Sequence, residues 1–218
     1  MLDQIKVNEI ILNFPQSRAL FEDCLRDAAI QSELAFLKEH HPVSYEHSCR
    51  VCQISLELGM MHSLDYDLCV QLGLAALMHD IGKTHISLDI LDKASSLDDE
   101  ETRAVRKHVR QALLTLDQPQ YELVRAILAA HHEYSRSPYP RSGFERRQNH
   151  RFDQERRHIR ADIQVAAEIL ALSDMLDALV QPRSYKPALP LNEVEHILRS
   201  KFTGNPVFIE QALEFFRS

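Results

Sequence analysis

Histidine and aspartate recur along this chain of 218 residues: His47, the adjacent His79 and Asp80, His108, the paired His131 and His132, then Asp174 and Asp177. Imidazole nitrogen and carboxylate oxygen are ligands for iron, manganese, zinc and similar ions. Lys83 closes the stretch LAALMHDIGK, residues 74–83, which begins as an apolar helix and ends in an imidazole, a carboxylate and an ammonium. An ammonium beside metal ligands suits a phosphate oxygen. Taken alone, such a lysine is as readily a solvated surface group.

The elements that must carry these groups read as helices throughout. No run alternates apolar and polar residues for long enough to predict a strand. The first forty residues predict one or two helices broken at Pro15, with Ser17 a candidate N-cap and Pro42 ending the region. Helices are then predicted from about Ser44 to Met61, closed by Gly59 and Ser63, and from about Asp65 to His79, with Gly82 as the C-terminal cap. SLDILDK reads as a short helix or turn. Asp98 and Glu101 form a capping-box pattern opening a helix that runs to about Leu116. Another runs from Pro119 to about Tyr134. Residues 135–160 read as irregular. A helix spans Asp162 to Val180, and two more close the chain.

On these helices the polar residues fall on the apolar faces. His47 shares a stripe with Val51, Ile54 and Leu58, and His79 with Leu68, Leu72 and Ala75. His108 lines up with Val105 and Ala112, and His131 with Val124 and Leu128. Asp174 and Asp177 follow Ile163, Ala167 and Leu170. Spacings of three and four put each group inward, where it needs a partner. One such histidine is most often a satisfied core residue, but their recurrence on helix after helix favours a shared partner. A single tetrahedral zinc takes about four ligands, fewer than are on offer. Two ions about 3.5–4 Å apart, the usual device for phosphate ester hydrolysis, fit better. Asp177 is either a supporting group behind the ligands or a helix-surface carboxylate.

Composition is that of an ordinary globular protein. The chain is 44% hydrophobic with only 5 Gly, which argues against a turn-rich all-β fold. Net charge of −7 excludes a general coat for long nucleic acid. Cys49 and Cys52 lack a second CxxC and sit in an apolar helical pattern, so they read as small hydrophobes. No apolar run reaches the ~20 residues needed to span a bilayer. The N-terminus carries no leader signature, and the cytoplasm is the expected location.

HDIGK at 79–83, the isolated upstream His47, AAHHEY around His131 and His132, and EILALSDMLDALVQPRSYKPALPLNEVEHIL at 168–198 together resemble the HD superfamily of metal-dependent phosphohydrolases, and within it the HD-GYP branch. The resemblance implies an all-α bundle over 43–218 preceded by a helical extension, 1–42. It implies that His47, His79, Asp80 and Asp174 hold one metal, that His108, His131 and His132 complete a second, and that Asp80 bridges. Lys83 would meet the scissile phosphate, and Tyr139, Arg183 and Lys186 would contact substrate. The metals implied are iron or manganese. The activity implied is opening of cyclic di-GMP to linear pGpG and on to GMP by a hydroxide between the metals. Val43 stands where members with a third metal carry Glu, so two ions are expected. HHE is followed by YSRSPYP, which keeps Tyr139 and Pro140 but loses the acidic residue and both glycines of the branch's motif. A loop that relied on Gly cannot keep its shape. Two alternatives therefore stay open: an HD phosphohydrolase acting on another nucleotide, or a non-catalytic domain that binds a dinucleotide and signals through partners. A homodimer or a regulatory protein partner is compatible with either. Residues 141–160 hold seven Arg against three acids and read as a solvated basic loop or as a lid that draws in an anion.

Overall fold

The computed structural model describes residues 17–136, 161–181 and 189–214. Pro15, Tyr139, the basic segment 141–160, Arg183 and Lys186 lie outside the described residues.

Helix α1 spans Arg18–Cys24, α2 Ala28–His40, α3 Pro42–Met61 and α4 Tyr66–Met78. A 3₁₀ turn, Ile81–His85, follows, then α5 Leu88–Leu91, α6 Asp99–Arg106 and α7 His108–Thr115. A second 3₁₀ turn, Pro119–Tyr121, leads into α8 Glu122–Ala130; α9 is Ala161–Val180, α10 Leu191–Lys201 and α11 Val207–Glu214. No strand occurs among the described residues; Ser135 and Phe202 form one isolated antiparallel bridge. The all-α expectation holds.

The chemistry of the sequence explains the frame. Helix α3 is buried on most sides, and its buried residues include the polar Ser48, Gln53, Ser55 and Glu57 beside the apolar Val51, Ile54, Leu56 and Leu58. It packs along α4 and α9, and α9 also packs on α8 and α4. Leu56, Leu58, Leu72, Leu77, Leu128 and Leu170 fill the space between them, fully buried. Each such side chain contributes about 1.5–3 kcal/mol. Helices α1 and α2 join the same cluster through Phe21, Leu34 and Leu37. Gly73 admits that approach, since a Cβ there would lie 2.5 Å from the Cys24 sulfur. Asp27 caps α2 through the amides of Ala29 and Ile30, and its other oxygen accepts from the Tyr121 hydroxyl at 2.7 Å, tying α2 to the start of α8. All four cysteines are free and buried, as small hydrophobes would be.

Several boundaries differ from the sequence reading, each for a physical reason. Pro42 starts a helix rather than ending a region: it occupies the first turn of α3, where its missing N–H costs nothing. Ser63, at φ 58°, closes α3. The amide of Leu64 bonds the Gly59 carbonyl and that of Ser63 the Met60 carbonyl, a Schellman pattern with Ser in the glycine position. Gly59 lies inside the helix. Asp98 and Glu101 form the expected capping box, but the helix they open stops at Arg106, and α7 begins after Lys107. The helix expected to reach Tyr134 ends at Ala130. Gly82 lies in a 3₁₀ turn without positive φ, so it is not the left-handed cap expected of it. Ser17 precedes α1 but makes no side-chain cap; its amide donates to the buried Glu57 carboxylate at 3.0 Å.

Candidate metal centre

Most of the site residues stand where a helix stops. His79 and His131 are the residues on which α4 and α8 end, and His108 follows the end of α6 by one turn residue. The last four carbonyls of an α-helix have no N–H partner. Each imidazole uses one. His79 Nδ1 donates to the Ala76 carbonyl at 2.7 Å, His108 Nδ1 to Val105 at 2.7 Å, and His131 Nδ1 to Leu128 at 2.5 Å. That bond fixes the tautomer and turns each Nε2 inward.

The Nε2 atoms converge. His47, His79 and Asp80 form one group and His108, His131 and His132 another, with the donor atoms of each group within 4.8 Å of one another. Asp80 lies between the groups. Its Oδ2 is 3.6 Å from His47 Nε2 and 3.4 Å from His79 Nε2, and its Oδ1 is 3.6 Å from His108 Nε2. Asp174 joins the first group, with Oδ1 3.1 Å from His47 Nε2 and 3.9 Å from His79 Nε2. His132 Nε2 stands 3.4 Å from His108 Nε2. Lys83 donates to Asp80 Oδ2 at 2.5 Å from the partly open side. His47, His79, Asp80, His108, His131, His132, Asp174 and Lys83 are thus together.

The donors fit metal ions. His79 Nε2 and His131 Nε2 are buried without a hydrogen-bond partner, an expensive arrangement for a polar atom unless a cation takes it. The set mixes imidazole and carboxylate, which iron, manganese and zinc accept. Burial and the neighbouring His79 push His131 down to about 3. Burial also lowers His132 and His108 despite nearby carboxylates. Neutral imidazole is the form that ligates. Burial opposes charge on Asp80, but Lys83, His79, His108 and His47 outweigh it and hold the carboxyl well below its usual range. His47 behaves differently. Burial opposes its charge, yet hydrogen bonds to Asp174 and Asp177 raise it to about 9.

Two residues absent from the expected ligand set complete the centre. Asp177, fully buried, accepts from His47 Nδ1 at 2.7 Å. Arg50 grips the same carboxylate with Nε at 2.7 Å and Nη2 at 3.0 Å. Both had a signal: Arg50 is three residues past His47, and Asp177 three past Asp174, so each shares a helix face with a ligand. Gly82 also matters. A Cβ on it would fall 2.0 Å from the His108 carbonyl oxygen, so only glycine lets the HDIGK turn rest on α7.

The HD domain family model matches residues 31–202. The chain is 30% identical over 158 residues to 3'3'-cGAMP-specific phosphodiesterase 1 of Vibrio cholerae, covering 72% of this chain and 33% of that protein. It is 33% identical over 156 residues to a cyclic di-GMP phosphodiesterase of Pseudomonas aeruginosa, covering 70% and 34%. A cyclic di-GMP phosphodiesterase of Thermotoga maritima is 29% identical over 165 residues, covering 73% and 41%. The chain therefore spans well under half the length of these curated relatives.

Proposed function

The chain belongs to the HD domain family, and we propose that it is a metal-dependent phosphodiesterase that opens a cyclic dinucleotide, cyclic di-GMP first. The relatives' names divide between cyclic di-GMP and 3'3'-cGAMP, which supports the class and makes 3'3'-cGAMP the competing substrate. The observation that carries the proposal is Asp80, whose two oxygens face two separate groups of imidazoles.

In this reading His47, His79, Asp80 and Asp174 would hold one divalent ion and His108, His131 and His132 the other, and Asp80, whose oxygens face both groups, would serve the two sites. Iron or manganese suits that donor set. Two ions so held lower the pKa of water towards neutral and offset the charge of a phosphodiester. The chain supplies the rest. Carbonyl bonds behind His79, His108 and His131 fix their rings before substrate arrives, so no reorganisation is needed during reaction. The Lys83 ammonium, part-exposed at the mouth, turns from Asp80 to a phosphate oxygen of the substrate. Tyr139, Arg183 and Lys186 are proposed to grip the remainder of the dinucleotide. Among the described residues no helix is long and apolar enough to cross a membrane.

The test is hydrolysis of cyclic di-GMP and of 3'3'-cGAMP by protein purified anaerobically and loaded with iron or manganese, with Asp80→Ala as control. Linear product from the parent and none from the variant supports the proposal. Two bound ions with no product from either substrate would overturn it.

A further inference from the structure

The histidines of the centre are oriented in two different ways. His79, His108 and His131 stand at or just past helix ends and give Nδ1–H to a carbonyl of the last turn. His47 stands in the second turn of α3, whose carbonyls are committed to the helix's own amides. No spare carbonyl is within its reach, so its Nδ1–H needs an acceptor from elsewhere. Helix α9 supplies Asp177, at 2.7 Å.

A buried carboxylate facing only this ring would be undercompensated once the ring is neutral, the form in which it ligates a metal. Arg50, one turn further along α3, corrects this with a two-pronged grip on both Asp177 oxygens at 2.7 and 3.0 Å. The fork leaves the carboxylate one orientation. His47 Nε2 then points at Asp174 and Asp80, at 3.1 and 3.6 Å. The side-chain bonds of Asp177 run to His47 and Arg50, both on α3 and on the side of the first group.

We infer that Arg50 and Asp177 are positioning residues for one ion of the pair only: they fix the His47 ring and set the affinity of the His47–His79–Asp80–Asp174 group, leaving the His108–His131–His132 group untouched. The inference rests on the proposed function in taking both groups to hold ions. It assigns a role to an arginine that touches no ligand position itself and would otherwise read as a surface residue of α3.

The test uses the whole chain, manganese, and metal content per chain measured with a calorimetric titration. The parent is expected to hold two ions. Asp177→Ala is expected to hold one. Asp177→Asn, which keeps the shape and one acceptor oxygen, and Arg50→Ala should each weaken only one of the two binding steps, by about 10–100-fold as for other outer partners of metal-bound histidine. Arg50→Lys should restore part of that loss. A merely structural role predicts a different result, with both steps weakened together in every variant, including Asp177→Asn; that outcome would overturn the inference. So would two unchanged steps in Arg50→Ala and Asp177→Ala. A parent that takes up no manganese would overturn the proposed function along with it.

Discussion

Gly82 and His108 touch backbone to backbone, close enough that a Cβ on Gly82 would lie 2.0 Å from the His108 carbonyl oxygen and 2.8 Å from its Cα. The HDIGK turn carries Asp80, and α7 begins at His108. This contact therefore sets the distance between the two imidazole groups and the carboxylate that lies between them. Gly82→Ala cannot be relieved by a side-chain rotation, because the obstacle is main chain. It should cost about 1–3 kcal/mol, as overpacking does, and separate His108 from Asp80. A displacement near 1 Å costs about 10²-fold in rate. Thermal unfolding and hydrolysis measured side by side should both fall. A variant with parental Tm and parental turnover would refute this account of Gly82.

Lys83 and Asp80 make the complementary case, since the 2.5 Å pair joins a group proposed to meet substrate to one proposed to meet metal. Lys83→Met keeps length and loses charge. It should retain two ions per chain and lower kcat/KM by about 10²–10³-fold, the range for removing one donor to developing charge. Lys83→Arg should recover part of that. Loss of metal in Lys83→Met would place Lys83 in the metal site itself.

How the centre is built was partly legible before the fold. The apolar stripes through His47, His79, His108 and His131 do bury these residues, because a spacing of three or four fixes a helix face whatever the helix packs on. Asp98 and Glu101 were readable as a cap because a capping box is wholly local. The break at Lys107 was not, because a one-residue interruption without Pro or Gly barely disturbs the 3.6-residue period. The use of spare carbonyls by His79, His108 and His131 depends on where helices end, which is the least readable feature of a sequence. The contact of Asp177 with Arg50 joins helices 127 residues apart in sequence, and the fit of Gly82 against His108 joins the HDIGK turn to the start of α7. Local pattern carries neither.

The two groups should take up metal with different pH dependence. Burial and His79 hold His131 near 3, and burial lowers His108 and His132 as well, so an ion entering there near neutral pH displaces no proton. Burial works against charge on His47, but Asp174 and Asp177 raise it to about 9, so below that pH an ion must displace a proton. Affinity at the first group should rise about tenfold per pH unit up to ~9, while the other stays flat. Stability of the metal-free chain follows the opposite course. A raised histidine stabilises the fold fully below its unfolded value of 6.5, and the contribution is lost as pH rises through about 9. Titrations in buffers of different ionisation enthalpy would count the proton. Equal pH dependence at both steps would rule this assignment out.

Phe202 offers a test through a residue that is not itself a proposed ligand. The chain after His131 and His132 is pinned by the end of α10: the Arg136 amide bonds the Lys201 carbonyl at 3.1 Å, the Thr203 amide bonds the Tyr134 carbonyl at 3.0 Å, and Ser135 pairs with Phe202. The buried Phe202 ring packs near Tyr134, with centroids 6.5 Å apart. Glu168 of α9 fixes the next turn by accepting from the Asn205 amide at 2.8 Å. Phe202→Ala should cost about 3–5 kcal/mol, as loss of a buried aromatic side chain does. Its local signature should be faster hydrogen exchange at residues 131–136 and weaker metal binding at the His108–His131–His132 group. The first group, anchored by α3, α4 and α9, should keep its ion. Exchange that quickens evenly across α3 and α8 would mean a global loss of stability and no special link between α10 and the paired histidines.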